Sequence, residues 1–177
     1  MSKILITGGA GFIGSNFVRM ALTDKFPDFK VDNLTVLDLL TYAGNLDNLS
    51  SLDNNPQHHF VQGNIGDRKL LSELLKKYQP IAVINFAAES HVDRSIYESK
   101  NFIETNIVGT YNLLESVCSY WNDLDENIVG NHLGYVIEYG GINGEVETYS
   151  ASPRTVSITI GAGSQTALVV SSVNGTS

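Results

Sequence analysis

The chain has 177 residues and a mass of 19.3 kDa, which suits one domain, since domains run about 100–200 residues, and leaves no room for two full enzyme domains. With 42% hydrophobic and 17% charged residues it can bury a core, which excludes disorder of the whole. A net charge of −8 without a basic stripe argues against nucleic-acid binding through phosphate neutralisation, although a single nucleotide stays within reach of backbone amides.

Lys3–Thr7 (KILIT) is short, branched and apolar and stops at Gly8-Gly9, as a strand buried on both faces does. From Phe12 to Thr23, apolar residues at Ile13, Phe17, Val18, Ala21 and Leu22 recur every three or four positions, which predicts a helix ended by Pro27. The alternation continues with a strand at Leu34–Leu37, a helix-like Leu46–Leu52, a strand at His59–Gln62 and a helix at Asp67–Tyr78. In that helix Asp67 is the N-cap, Leu70, Leu71, Leu74 and Leu75 form the buried stripe, and Pro80 is the stop. Ile81–Phe86 is the fourth strand. A long helix follows at about Ser99–Trp121, expected to bury Phe102, Ile103, Ile107, Leu113, Leu114, Val117 and Cys118. Strands alternating with helices imply a Rossmann-like, doubly wound parallel α/β sheet over residues 1–126.

Beyond Trp121 the composition changes. Residues 130–177 hold half of the sixteen glycines, and the last twenty-three residues carry no charge. Tyr135–Tyr139, Glu145–Ser150, Thr155–Ile160 and Thr166–Val173 read as strands separated by glycine turns, which predicts a β-rich meander over 127–177 rather than more α/β. Cys118 is the only cysteine, so no internal disulfide can form. No signal peptide, membrane span or lipidation motif is visible, and the expectation is a soluble cytoplasmic protein.

The run Gly8-Gly9-Ala10-Gly11-Phe12-Ile13-Gly14 joins the first strand to the first helix. Glycines there allow positive φ and close approach of a pyrophosphate, and the helix start offers unpaired N–H groups. The plainer reading is a tight turn without a ligand. Asp38, at the end of the second strand, stands where a carboxylate accepts from both ribose hydroxyls and disfavours a 2′-phosphate, which selects NAD over NADP; a loop-capping aspartate is the alternative. His58, His59, His91 and His132 lack the spacing of a zinc site, so no metal is expected. Glu89-Ser90-His91 with Asp93 is no catalytic triad, because sequential neighbours rarely form one and no GxSxG elbow exists. His91 and Arg94 are read as loop-organising, with phosphate contact by Arg94 left open.

Four blocks in order, Thr7–Asn16 (TGGAGFIGSN), Leu40–Leu46 (LTYAGNL), Phe86–Ser95 (FAAESHVDRS) and Thr105–Glu115 (TNIVGTYNLLE), strongly resemble the dTDP-glucose 4,6-dehydratase family of extended short-chain dehydrogenase/reductases. The resemblance covers Met1 to about Glu126. It implies that Gly8, Gly11, Phe12, Ile13 and Gly14 cradle the NAD pyrophosphate, and that Asp38, Leu39, Leu40 and Thr41 hold the adenosine ribose. It further implies that Asn64 and Ile65 flank adenine, that Phe86, Ala87, Ala88, Glu89 and Thr105 line the cofactor, and that Ser90 faces a nucleotide-sugar substrate. The family usually has Asp at position 64 and a basic or polar residue at 39. By the same resemblance the reaction is an internal redox cycle in which NAD is a bound catalyst, and long helices form a homodimer.

The resemblance fails where acid–base chemistry is needed. No Tyr-x-x-x-Lys occurs. Tyr149-Ser150-Ala151-Ser152 resembles its start but Pro153 holds the lysine position, so it is a damaged remnant or a coincidence in a Ser-rich turn. Asp125-Glu126 reads as a solvated helix exit, and no catalytic residue is assigned. Three readings follow: an incomplete NAD-binding half of a dehydratase, a non-catalytic nucleotide-binding or interaction module, and a truncated or fused product.

Overall fold

The computed structural model describes residues 3–23, 25, 30–90, 99–124, 137–140, 146–149, 157–161 and 165–169. β1 (Lys3–Thr7), β2 (Asn33–Asp38), β3 (His58–Gln62) and β4 (Ala82–Asn85) are parallel neighbours in the order β3-β2-β1-β4. The chain steps outward from β1 through β2 to β3, then crosses back to the other side of β1 for β4. The sequence order reverses at β1, and the connections leaving the carboxyl ends of β1 and β4 diverge to open a crevice.

Both faces of this sheet are covered, so the strands read as continuous apolar runs. Ile4, Ile6, Leu34, Val36 and Ile84 point to one face, where they meet Val18 and Ala21 of α1 (Phe12–Ala21) and Leu49 and Leu52 of a 3₁₀ turn at Leu46–Leu52. The alternate positions Leu5, Leu37 and Val83 point to the other, against Leu71, Leu74 and Leu75 of α2 (Arg68–Tyr78) and Leu113, Val117 and Trp121 of a later helix. Asp67 caps α2 by accepting from the amides of Lys69 and Leu70 at 3.0 and 3.1 Å, a cap worth about 1 kcal/mol. Gln79 ends the helix in the left-handed region at φ 49°, just ahead of Pro80.

Two expectations about helices change. Leu46–Leu52 forms a 3₁₀ turn. The long helix is a composite of α3 (Ser99–Ile103), a π turn at Glu104–Gly109 and α4 (Thr110–Asn122). A π turn takes up an extra residue and rotates the faces before it against those after it, so one 3.6-residue stripe cannot persist along the element. Ile103 and Ile107, expected in the core, are accordingly 49% and 62% exposed, whereas Leu113 and Val117 are buried. Phe102, Leu114 and Cys118 are half-buried.

All four tail strands form: β5 (Ile137–Gly140), β6 (Val146–Tyr149), β7 (Ser157–Gly161) and β8 (Gln165–Val169). They are not a meander. β5–β6 and β7–β8 are two antiparallel hairpins, and β5 lies parallel to β7. Short connections favour pairing within each hairpin, but local sequence does not set how one hairpin lies on the next. β8 pairs antiparallel with β4 through Ile84 with Val169 and Asn85 with Leu168, which extends the sheet to β3-β2-β1-β4-β8-β7-β5-β6.

Candidate functional site

Three glycines shape the turn from β1 into α1, each for a different reason. Gly8 has φ +69°, and a Cβ there would lie 2.4 Å from the Ala87 nitrogen, so the turn sits directly on the segment leaving β4. A Cβ on Gly14 would lie 2.2 Å from the Gly8 carbonyl oxygen; the helix touches the turn here. A Cβ on Gly11 meets nothing nearer than 3.4 Å, and Gly11 lines the open crevice instead. No side chain caps α1. Its first intrahelical bond is Ser15 N–H to Gly11 O at 2.9 Å, so the amides of Phe12, Ile13 and Gly14 are left for solvent or a ligand.

The loop after β2 locks that turn. The Asp38 carboxylate, 8% exposed, accepts from the Ala10 amide at 2.9 Å through Oδ2 and from the Leu40 amide at 2.8 Å through Oδ1. The second bond holds Leu40 at φ 56°. The Ala10 carbonyl accepts from the Asn45 amide at 3.1 Å and from Asn48 Nδ2 at 2.8 Å. Gly44 passes so close that a Cβ would lie 2.8 Å from Asp38 Oδ1. Asp38 thus performs the loop-organising task, and each oxygen, with one amide bound, keeps acceptor capacity for a further donor.

The long helix fixes the other walls. Asn106, in the π turn, grips the backbone of Glu89 from both sides: its Oδ1 accepts from the Glu89 amide and its Nδ2 donates to the Glu89 carbonyl, each at 2.8 Å. Gly109 lets the helix reach Ile65, whose Cγ1 would be 2.9 Å from a Cβ there. Asn112 Nδ2 donates to the Gly66 carbonyl at 3.0 Å. Beneath the turn, buried Asn85 accepts from the Thr7 hydroxyl and from the Ala87 amide through Oδ1.

The result is an open cleft that encloses about 70 Å³, less than the ~300–1,000 Å³ usual for ligand cavities. Among the expected site residues, Gly11, Asp38, Leu39, Thr41, Asn64, Ile65, Ala87, Ala88, Glu89 and Thr105 form its wall. Phe12, Ile13 and Gly14 begin α1 directly after Gly11 and are not part of that wall. Gly8 lies under Ala87. Leu40 packs into the core, as does Phe86 with its ring 5.5 Å from that of Phe17. Ser90 is half-buried and lines no part of the cleft. Leu37, Ala43, Gly44 and Gly63 also line it; the sequence marks Ala43 and Gly44 only as part of the LTYAGNL block. A second cavity of about 340 Å³ adjoins the first, sharing Leu39, Thr41, Asn64, Glu89 and Thr105 and adding Tyr42, Asn101 and Glu104.

The chemistry of the cleft is that of a binder. Amides at a helix start attract an anion, Asp38 attracts hydroxyls, and Ile65, Ala87 and Ala88 give the wall its apolar part. Asn64 uses Oδ1 on the Gly66 amide at 2.7 Å, and its Nδ2 is a further donor on the wall. No group of three metal-ligating side chains and no helix long and apolar enough to cross a membrane exists among the described residues. His91, Asp93, Arg94, Asp125, Glu126, His132 and the Ser150–Pro153 run lie outside the described residues.

Comparison with known proteins agrees with this architecture. The profile of the GDP-mannose 4,6 dehydratase family matches residues 5–129. A dTDP-glucose 4,6-dehydratase of Xanthomonas campestris pv. campestris (strain B100) is 55% identical over 126 residues, which are 71% of this chain and 34% of that protein. The enzyme of the same name from Neisseria meningitidis serogroup B is 43% identical over 154 residues, 85% of this chain and 42% of that protein, an alignment that runs past residue 126. Among solved structures, the dTDP-glucose 4,6-dehydratase of Streptomyces venezuelae with NAD bound has a TM-score of 0.64 at 49% identity, covering 67% of this chain and 36% of that one. A dTDP-glucose 4,6-dehydratase from Bacillus anthracis in complex with NAD has a TM-score of 0.60 at 36% identity, covering 86% and 46%. The chain spans about a third to under a half of the length of these relatives. It belongs to the GDP-mannose 4,6-dehydratase family.

Proposed function

We propose that this family member is the NAD-binding part of a dTDP-glucose 4,6-dehydratase-like protein of nucleotide-sugar metabolism and is catalytically incomplete on its own. The observation that carries the reading is the crook between β1 and α1, where the uncapped amides of Phe12, Ile13 and Gly14 follow directly on Gly11, which with Asp38 walls the cleft. Pyrophosphate lies along those amides, beside Gly8 and Gly11. Asp38 takes the adenosine ribose with its remaining lone pairs, aided by Leu39, Leu40 and Thr41, and its charge disfavours a 2′-phosphate. Asn64 and Ile65 flank adenine. Phe86, Ala87, Ala88, Glu89 and Thr105 set the cofactor's course, and Ser90 stands nearest the sugar nucleotide.

When bound, NAD supplies a hydride acceptor. What these residues supply is orientation and charge complementarity. The 177 residues contain no Tyr-x-x-x-Lys, the pair in which an ammonium lowers a phenol's pKa so that it acts as a base. Calorimetric titration with NAD tests the binding half, and saturable heat is expected. The alkali absorbance of a keto sugar product after incubation with dTDP-glucose and NAD tests the other, and no product is expected. A chain that shows no heat refutes the assignment, and one that forms product refutes its incompleteness.

A homodimer follows from the same family reading. Ile103, Ile107, Val108 and Tyr111 present an exposed apolar strip on the long helix, suited to a second copy. Light scattering after size exclusion distinguishes dimer from monomer. The single cysteine accords with a cytoplasmic location.

A further inference from the structure

We infer that the hydrogen bond from Tyr42 to Glu89 is a latch across the mouth of the cleft that retains a bound dinucleotide, an inference that rests on the NAD-binding reading. The Tyr42 hydroxyl donates to Glu89 Oε2 at 2.8 Å, between residues 47 apart in sequence. Tyr42 belongs to the loop leaving β2 and Glu89 to the segment leaving β4, the two strands that flank β1. The bond therefore spans the carboxyl end of β1, above the glycine turn.

Its position relative to the cavities makes it a roof. Thr41 and Ala43, on either side of Tyr42, line the inner cleft, whereas Tyr42 lines only the outer cavity. Glu89 lines both. The pair thus sits at the boundary where inner and outer spaces meet, and a dinucleotide lying from Asp38 past Gly11 toward Ala87 passes beneath it. Both ends are anchored. The Glu89 backbone is held at its amide and its carbonyl by Asn106, and the Tyr42 loop is tied by Asp38 to Leu40 and by the turn from Gly44 N–H to Thr41 O at 3.0 Å. With both bases fixed, making or breaking one side-chain bond opens or shuts the mouth without moving the sheet. An aromatic ring 47% exposed at such a place then has a use.

The test measures release of NADH, by loss of its fluorescence on displacement with excess NAD, from the full chain and its variants. Tyr42→Phe, which removes only the hydroxyl, raises the dissociation rate about three- to tenfold, as expected for one hydrogen bond to a charged acceptor near solvent. Glu89→Ala matches it, and the double variant is no faster than either single one. Glu89→Gln falls between the parent and Glu89→Ala, because its carbonyl still accepts from the phenol but without the charge, and melting temperatures of all four stay together. An unchanged rate in Tyr42→Phe, additive effects in the double variant, or Glu89→Gln behaving as Glu89→Ala overturns the latch. A parent chain that binds no dinucleotide overturns both this and the NAD-binding reading, whereas one that binds it but releases it at the same rate without the hydroxyl overturns the latch alone.

Discussion

Substituting alanine at Gly14 and at Gly11 separates the fold from the site. At Gly14 the new methyl would lie 2.2 Å from the Gly8 carbonyl oxygen and 2.9 Å from Gly9 Cα. Both are backbone atoms on a turn that Asp38, Asn45 and Asn48 hold in place, so α1 has to move away. Overpacking of this kind costs about 1–3 kcal/mol, and a contact this short belongs at the upper end. The better helix propensity of alanine returns up to about 1 kcal/mol. A net loss near 2 kcal/mol lowers the melting temperature by about 4–8 °C in a chain of this size. At Gly11 the backbone is extended, φ −74° and ψ 176°, which suits alanine, and the nearest atom is 3.4 Å away. The fold should tolerate that methyl with a melting shift within about 2 °C, but it occupies the path by which a phosphate reaches the amides of α1, so NAD affinity should fall at least about tenfold. Melting curves and NAD titrations on both variants decide the matter. A Gly11→Ala chain that binds NAD like the parent refutes the proposed course of the cofactor, and a Gly14→Ala chain that melts like the parent refutes the packing argument.

Asp38→Asn leaves one acceptor where two amides need one each, so urea unfolding should show a loss of about 1–3 kcal/mol together with weaker NAD binding. Asn106→Ala frees the amide and the carbonyl of Glu89; hydrogen exchange at that amide should accelerate, with a stability loss of about 1–3 kcal/mol. His58 is held below its ordinary value of 6.5 by burial, with His59 adding to the effect and the Leu52 carbonyl and Asp53 opposing it. A histidine whose folded pKa lies below its unfolded one binds fewer protons when folded, so its contribution is complete above pH about 6.5 and is lost as pH falls through the lower folded value. Stability against urea should therefore decline on acidification below pH about 6.5, and His58→Gln should flatten that decline.

Sequence reading succeeds here where the deciding interactions are local. The apolar period of KILIT, the Asp67 cap and the glycines between β1 and α1 each depend on residues within one turn of each other, and the expected parallel sheet and the crevice at β1 follow from their order. It stops where a side chain works on a distant backbone. Nothing near Asn106 says that its amide reaches Glu89, nothing near Asn48 that it holds the Ala10 carbonyl, and nothing near Gly109 that Ile65 presses against it. The π turn is likewise invisible to a 3.6-residue period, which is why Ile103 and Ile107 were expected inside and lie outside. The resemblance blocks mark such residues without explaining them, and the contacts supply the reason: each block contributes to one wall of one cleft.

That convergence bears on how binding and catalysis divide in this protein. Among the described residues, those lining the cleft lie between Gly11 and Thr105, and the supports behind it extend to Asn112. The strands after Trp121 join the sheet at β4, on the side of β1 away from β2 and Asp38. Their one register contact with a site-supporting residue is Leu168 beside Asn85, which accepts from the Ala87 amide. Among the described residues, changes along the tail reach the cleft through the pairing of β8 with Asn85, beneath the point where Ala87 meets Gly8. On the proposed course of the cofactor, β1 and β2 separate the ribose site at Asp38 from the tail, so perturbing the tail should affect the nicotinamide side of a bound dinucleotide before it affects the grip on the ribose.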